Sequence, residues 1–372
     1  MKASNTKSVS YFFIALFFIF FSFINNSFSE NSEAESQQNK KEEFNAGKMI
    51  IEHIVDNHEW HIAEYDGKTY SIPLPIILYD KGEISCFMSS QFHHGEKAYN
   101  GYKLEMEGKH KGKIVKVDAN GVVDEAADLP LDFSITKNVL SLFISVFLLC
   151  WIFLSMARRY KKRENMAPKG LQSMVEPLIL FIRDDIAKSS IGEKRYARYM
   201  PFLLTVFFFI FLNNLMGLIP FFPGGANLTG NIAVTMVMAL FTFVITTFSG
   251  NKHYWKEIYN APGVPWWLKI PIPLMPLVEV IGVITKPFVL MVRLFANITA
   301  GHIIALGFIS LIFIFGAIST GAGYGFSIVS VFFYIFMGLL ELLVAFIQAY
   351  VFTLLSALYF GMASAEHHET AH

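Results

Sequence analysis

Residues 270–362 constrain the fold most: these 93 positions hold only four formal charges, Glu279, Lys286, Arg293 and Glu341. The glycine-rich stretch Gly316 to Gly325 divides the block into two apolar segments, Pro276 to Ala317 and Phe326 to Met362. As single helices, their 42 and 37 residues would run about 63 and 55 Å. A bilayer's hydrocarbon core is about 30 Å thick, so within a membrane each segment must tilt strongly, kink or partly re-enter. Pro287 offers a kink in the first.

Composition agrees with a membrane protein. The chain has 372 residues, 53% apolar and 16% charged, where soluble domains carry about 25% charge. Thirty basic and thirty acidic residues cancel but are unevenly placed: residues 30–132 hold 20 acids against 11 lysines, and residues 157–199 hold 11 basic residues against 5 acids. Cys150 lies inside an apolar run, so pairing with Cys86 is not expected, and two cysteines cannot build a cysteine-rich metal site.

The N-terminus has the layout of a secretory signal peptide. Lys2 and Lys7 precede the apolar run Tyr11 to Phe23, and Ser27 and Ser29 supply small residues for cleavage after Ser29. An uncleaved anchor is the alternative. Glu30 to Glu43 lacks apolar periodicity and reads as a disordered leader. Beyond it, Lys68 to Tyr79 and Lys113 to Val123 predict short strands broken by glycines.

Asn138 to Ala157 is uncharged and long enough to span, and Arg158, Arg159, Lys161, Lys162 and Arg163 follow at once. The positive-inside rule makes that end cytoplasmic, in agreement with an exported N-terminus. In residues 171–186, Val175, Leu178, Ile179, Ile182 and Ile186 recur at helical spacing. They form an amphipathic helix, either on the membrane surface or packed on other protein. Met200 to Pro220 and Asn231 to Ser249 predict a transmembrane hairpin around the turn Phe221 to Gly230, and Gly250 to Lys269 a lysine-bearing loop. The expected architecture is an all-α polytopic membrane protein with about five membrane-crossing segments, two of them long and tilted, and a small mixed extramembrane N-terminal domain. Its divisions are a signal peptide 1–29, an acidic extracytoplasmic domain 30–132, a membrane domain 133–362 and a cytoplasmic tail 363–372.

An arginine at membrane depth costs several kcal/mol unless a partner, water or a function offsets it. At 100° per residue, Glu279, Lys286, Arg293 and Asn297 fall on one stripe of an otherwise apolar helix, and Tyr334, Glu341 and Gln348 form a second stripe. Facing each other or a shared partner, these stripes would build a polar path through the membrane. Structural salt bridges holding a tilted hairpin are the alternative for Glu279 and Lys286. Arg293 has no acid one turn away. His302 lies about 140° from the first stripe on an ideal helix. Arginine is a fixed charge that cannot pass on a proton, whereas glutamate and histidine can titrate and relay protons. A non-titrating cation between titratable groups is what a proton path with a forced break requires.

The run Arg293-Leu294-Phe295-Ala296-Asn297 closely resembles the arginine motif of the a subunit of F-type ATP synthases, called subunit 6 in mitochondria. Matching pieces sit in the same order: Asn214 to Pro220, Pro276 to Pro287, and Gln348 to Phe352. The resemblance covers roughly residues 133–362. It implies two offset half-channels serving a c-ring, with Arg293 facing the ring carboxylate and Asn297 and Gln348 lining the site beside it. Glu341 and His302 would relay protons in the outer half-channel, Glu279 would serve the cytoplasmic exit with Lys286 on its stripe, and Asn214 belongs to a matching motif. It also implies protons as the transported ion, b subunits of the peripheral stalk and the rest of the complex as partners, a bacterial inner membrane, and no cofactor of its own. Three features depart from the family pattern. His302 and Glu341 stand exchanged relative to many bacterial members, Ala296 replaces a glycine, and the acidic domain is longer than usual.

Other chemistries find little support. The histidines His53, His58 and His61, and the pairs His93-His94 and His367-His368, lack a recognisable ligand set. No nucleophile elbow and no phosphate loop occur, and the basic cluster at 158–163 suits membrane orientation better than nucleic acid. A secondary ion or solute transporter with an intramembrane charged site would be expected to show repeated halves, which are not seen. An intramembrane enzyme using His302 and Glu341 lacks a nucleophile or metal set.

Overall fold

The computed structural model describes residues 46–65, 68–106, 108–118, 121–124, 127–162, 167–219, 222–259 and 274–365. The stretches read from the sequence as a signal peptide and a leader, and the end of the C-terminal tail, lie outside the described residues. In chain order the helices are α1 (Ala46–Ile54), α2 (Lys137–Lys162), α3 (Leu171–Phe181), α4 (Tyr196–Leu218), α5 (Ile232–Ser249), α6 (Lys252–Tyr259), α7 (Leu274–Ile318) and α8 (Thr320–Ser364). A π segment, Ile182–Lys188, and a short turn, Ser189–Ile191, extend α3. Five helices, α2, α4, α5, α7 and α8, are long and apolar enough to cross a membrane. The chain is a multi-pass membrane protein.

Between α1 and α2 lies a small antiparallel β domain: β1 (Glu59–Tyr65), β2 (Lys68–Pro73), β3 (Pro75–Asp80), β4 (Glu83–Met88), β5 (Tyr102–Leu104), β6 (Ile114–Lys116) and β7 (Leu131–Asp132). They form a β1–β2 hairpin, a β4–β3–β7 sheet and a β5–β6 hairpin. The single strand expected over Lys68 to Tyr79 is two strands, because Pro73 and Pro75 flank Leu74 and cannot donate to a continuous ladder. Ile76, Leu78, Phe92, Tyr102 and Ile114 form the domain's core. Asp56 ties this domain to the bundle: its carboxylate accepts from the Thr136 hydroxyl at 2.8 Å and the Asn138 amide at 3.0 Å, capping the start of α2. Trp60 meets Phe222 of the α4–α5 loop edge-on, with centroids 5.2 Å apart.

In the bundle, α7 and α8 pair along their length, and α4 packs on α8. Each long helix has 45 residues, about 67 Å and twice what the hydrocarbon needs, so both must run obliquely. The glycine-rich break is shorter than expected. Only Ser319 interrupts the helices, its side chain capping α8 by accepting from the Ala322 amide. The glycines beyond it are helical. They serve close approach: a Cβ on Gly323 would sit 2.8 Å from the Gly316 Cα. Pro287 lies within α7 without ending it.

Of the two readings of residues 171–186, packing on protein is observed. Val175, Ile182 and Ile186 are buried in the main core with Leu203, Phe207, Leu294 and Phe360. Tyr199 of α4 stacks on Phe360 of α8 at 4.9 Å. The expected loop after Ser249 instead begins with α6, whose Tyr254 and Ile258 pack with Ala363.

Candidate functional site

Two polar contacts cross the α7–α8 pair. The Asn297 amide donates to the Gln348 side-chain oxygen at 3.2 Å, and His302 Nδ1 lies 3.3 Å from Glu341 Oε1. Glu341 and Gln348, seven apart on one stripe of α8, therefore both meet α7. His302 joins them although an ideal helix places it off the α7 stripe. The reason is Gly301, where a Cβ would fall 2.7 Å from Glu341 Oε1, so its absence lets the carboxylate lie against the α7 backbone within reach of the imidazole. The imidazole also runs beside Gly217 of α4.

A cavity of about 210 Å³ opens beside this pair, between α4, the α4–α5 loop, α7 and α8. That is room for several waters. Asn214 braces one wall: it accepts from the Thr229 hydroxyl at 2.6 Å and donates to the Ala345 carbonyl at 3.3 Å. Asn213 Oδ1 and Asn227 Nδ2 are buried without a hydrogen-bond partner, and both residues line the cavity. Asn213, Asn227 and Thr229 were not singled out from the sequence. The asparagine pair inside an apolar helix was a signal; the burial of a turn was not.

The remaining stripe residues separate from this cavity. Arg293 is exposed on α7 and makes no hydrogen bond or ion pair among the described residues. It lies nine residues from His302, about 13 Å along the helix. Lys286 places its ammonium 5.7 Å from the Tyr359 ring, beside a small pocket lined by Thr242, Thr246 and Tyr254. Glu279 is half-buried near Tyr254, whose phenol is pushed above its ordinary value by burial and then by that carboxylate. Glu279 and Lys286, two helical turns apart, do not pair with each other, so the salt-bridge alternative is not realised between them. Tyr334 is half-buried on α8.

The histidines of the β domain are placed separately. His58 bonds Asp132 at 2.8 Å, and His94 bonds Glu59 at 2.7 Å. His61 is in β1, so the three upstream histidines share no helical face.

A membrane-spanning helical bundle with a titratable pair beside a cavity, and an exposed arginine without an ion pair among the described residues farther along the same helix, defines an intramembrane ion-handling class of site. The comparisons narrow it: a family model described as ATP synthase A chain matches residues 139–361. The chain is 45% identical over 289 residues to ATP synthase subunit a of Chloroherpeton thalassium, covering 75% of this chain and 78% of that one. It is 46% identical over 243 residues to the Chlorobium phaeobacteroides (strain BS1) protein of that name, covering 64% and 68%. It is 44% identical over 249 residues to the Myxococcus xanthus protein, covering 65% and 77%. The chain belongs to the F-type ATP synthase a-subunit family. A second model, described as Domain of unknown function (DUF8433), matches residues 49–133.

Proposed function

We propose that this chain is the proton-translocating stator of its ATP synthase, providing two offset half-channels that load and unload the carboxylates of a c-ring. A proton taken up from the β-domain side passes through the cavity to Glu341 and His302. It then protonates a ring carboxylate and travels round with the ring. It leaves on the opposite side past Glu279, with Lys286 and Tyr254 setting the local field. Arg293 stands between the two paths. Its guanidinium does not titrate, and its charge favours the ionised form of an approaching carboxyl, which releases its proton. Asn297 and Gln348 hold the α7–α8 surface beside it, and Asn214 braces the cavity wall.

The observation that carries this reading is the order along α7: a titratable pair beside a cavity, then an exposed arginine without an ion pair among the described residues. In this reading that end of α2 and the 363–372 tail face the cytoplasm and residues 30–132 lie outside a bacterial inner membrane, which the basic run from Arg158 supports. The b subunits of the peripheral stalk and the rest of the enzyme complete the assembly. Residues 133–362 form the membrane domain, and catalysis lies in other subunits.

Passive proton flux into vesicles stripped of the soluble ATPase sector tests the path. Glu341→Gln should slow conduction sharply in assembled membranes, and unchanged conduction would remove Glu341 from it.

A further inference from the structure

The β4–β3–β7 sheet presents apolar side chains on both faces. Ile76 and Leu78 fill the domain core on one side. On the other, pairing sets Ile84 opposite Tyr79 and Tyr79 opposite Leu131, so the three form one row across the sheet. The next row holds Cys86 opposite Ile77, with Phe133 alongside through its amide bond to the Ile77 carbonyl. Pro75 and Met88 make a third row. No charged residue interrupts these rows. Ile84, Phe133 and Leu131 are 72%, 64% and 58% exposed. An antiparallel sheet with one solvated face normally alternates apolar inward and polar outward, and this one does not. Contiguous exposed apolar surface of this kind marks an interaction site.

We propose that this face docks on the lipid surface of the bilayer that the bundle crosses. The occupant follows from continuity of the chain. Only three residues, Ser134 to Thr136, separate Phe133 from Lys137, the first residue of α2, a reach of at most about 14 Å. β7 runs toward that helix and β3 runs antiparallel to it, so the Pro75 and Met88 row lies nearest the span. α2 itself exposes apolar side chains along one face, at Phe143, Phe147, Trp151 and Leu154. The near row of the sheet face thus lies within about 14 Å of the start of the span, close to the zone in which apolar faces of interfacial elements insert. Docking would restrain the β domain, and through Trp60 and Phe222 the loop that lines the cavity.

Cys86 lies on this face and supplies the probe. In the assembled complex in liposomes, Cys150→Ser leaves Cys86 for an environment-sensitive thiol fluorophore. Nitroxide-bearing lipid should quench that probe, and aqueous iodide should lose its effect. A label on Cys150 in a Cys86→Ser variant calibrates full lipid contact. A label introduced by Lys109→Cys, with both natural cysteines replaced by serine, calibrates water. Adding Ile84→Glu and Leu131→Glu should restore iodide quenching at Cys86 without loss of assembly. Quenching at Cys86 by iodide as strong as at position 109 would overturn the proposal by placing the face in water. Insensitivity to both quenchers would overturn it by showing that another protein segment covers the face.

Discussion

Gly301 of α7 faces Glu341 of α8 so closely that a Cβ at position 301 would fall 2.7 Å from the glutamate oxygen. Two effects then oppose each other in Gly301→Ala. Alanine favours the helix by about 1 kcal/mol over glycine, while the methyl group displaces the carboxylate from His302. Assembly should be retained and ATP-driven proton pumping should fall, with Gly301→Val more severe. Normal pumping by an assembled Gly301→Val complex would show that the close approach is dispensable.

The 3.3 Å contact between His302 and Glu341 makes the two residues a unit. His302→Ala and Glu341→Ala should each slow pumping, and the double variant should cost less than their sum. A coupling of about 0.5–3 kcal/mol is the range for residues in contact. The reciprocal exchange, His302→Glu with Glu341→His, should recover part of the activity that either single replacement loses. Strict additivity in pumping rates measured on matched vesicles would separate them functionally.

Asn214 joins α4 to the α4–α5 loop and to α8 through two buried hydrogen bonds. Replacing it by leucine strands the Thr229 hydroxyl and removes a second hydrogen bond from the helical Ala345 carbonyl, at about 1–3 kcal/mol for the unsatisfied buried hydroxyl. Thermal unfolding of the detergent-solubilised complex should shift downward, and an unchanged midpoint would remove Asn214 as a brace.

Acid should loosen the β domain before the bundle. Burial pushes the Asp132 carboxyl up, but hydrogen bonds from His58 and from the Ser134 side chain and backbone outweigh it and leave the group below its ordinary value. The hydrogen bond from Lys116 does the same for Asp80, against some desolvation. A folded value below the unfolded one, about 3.9 for aspartate, stabilises the fold fully above that pH. The contribution fades as pH falls through the folded value. Protection of the β3 and β7 amides, measured against their intrinsic exchange rates at each pH, should therefore fall below about pH 4, and Asp132→Asn should flatten that dependence. Acid-independent protection in the wild-type domain would contradict the assignment.

The membrane architecture was legible because charge placement, apolar run length and stripe spacing each report it directly. Arg293, Glu341, Gln348 and Asn297 could be grouped because heptad-like spacing survives in long helices. His302 fell off the stripe because the ideal-helix angle ignores the space left by Gly301. The glycines at 316–325 read as a break because glycine both ends helices and allows them to touch; here Gly316 and Gly323 do the second. Asn227 and Thr229 were hidden in a polar turn, since its burial arises only when α4, α7 and α8 close around it. The β domain was legible in part because several of its strands are only two or three residues long, too short to show a period.

The most direct test of the central claim is ATP-driven acidification of membrane vesicles carrying Arg293→Ala beside wild type, with assembly verified in both. The account predicts that the assembled variant hydrolyses ATP without acidifying the vesicle interior, because no fixed charge then separates the two paths. Wild-type acidification by the assembled variant would contradict the barrier role of Arg293 and the half-channel reading built on it.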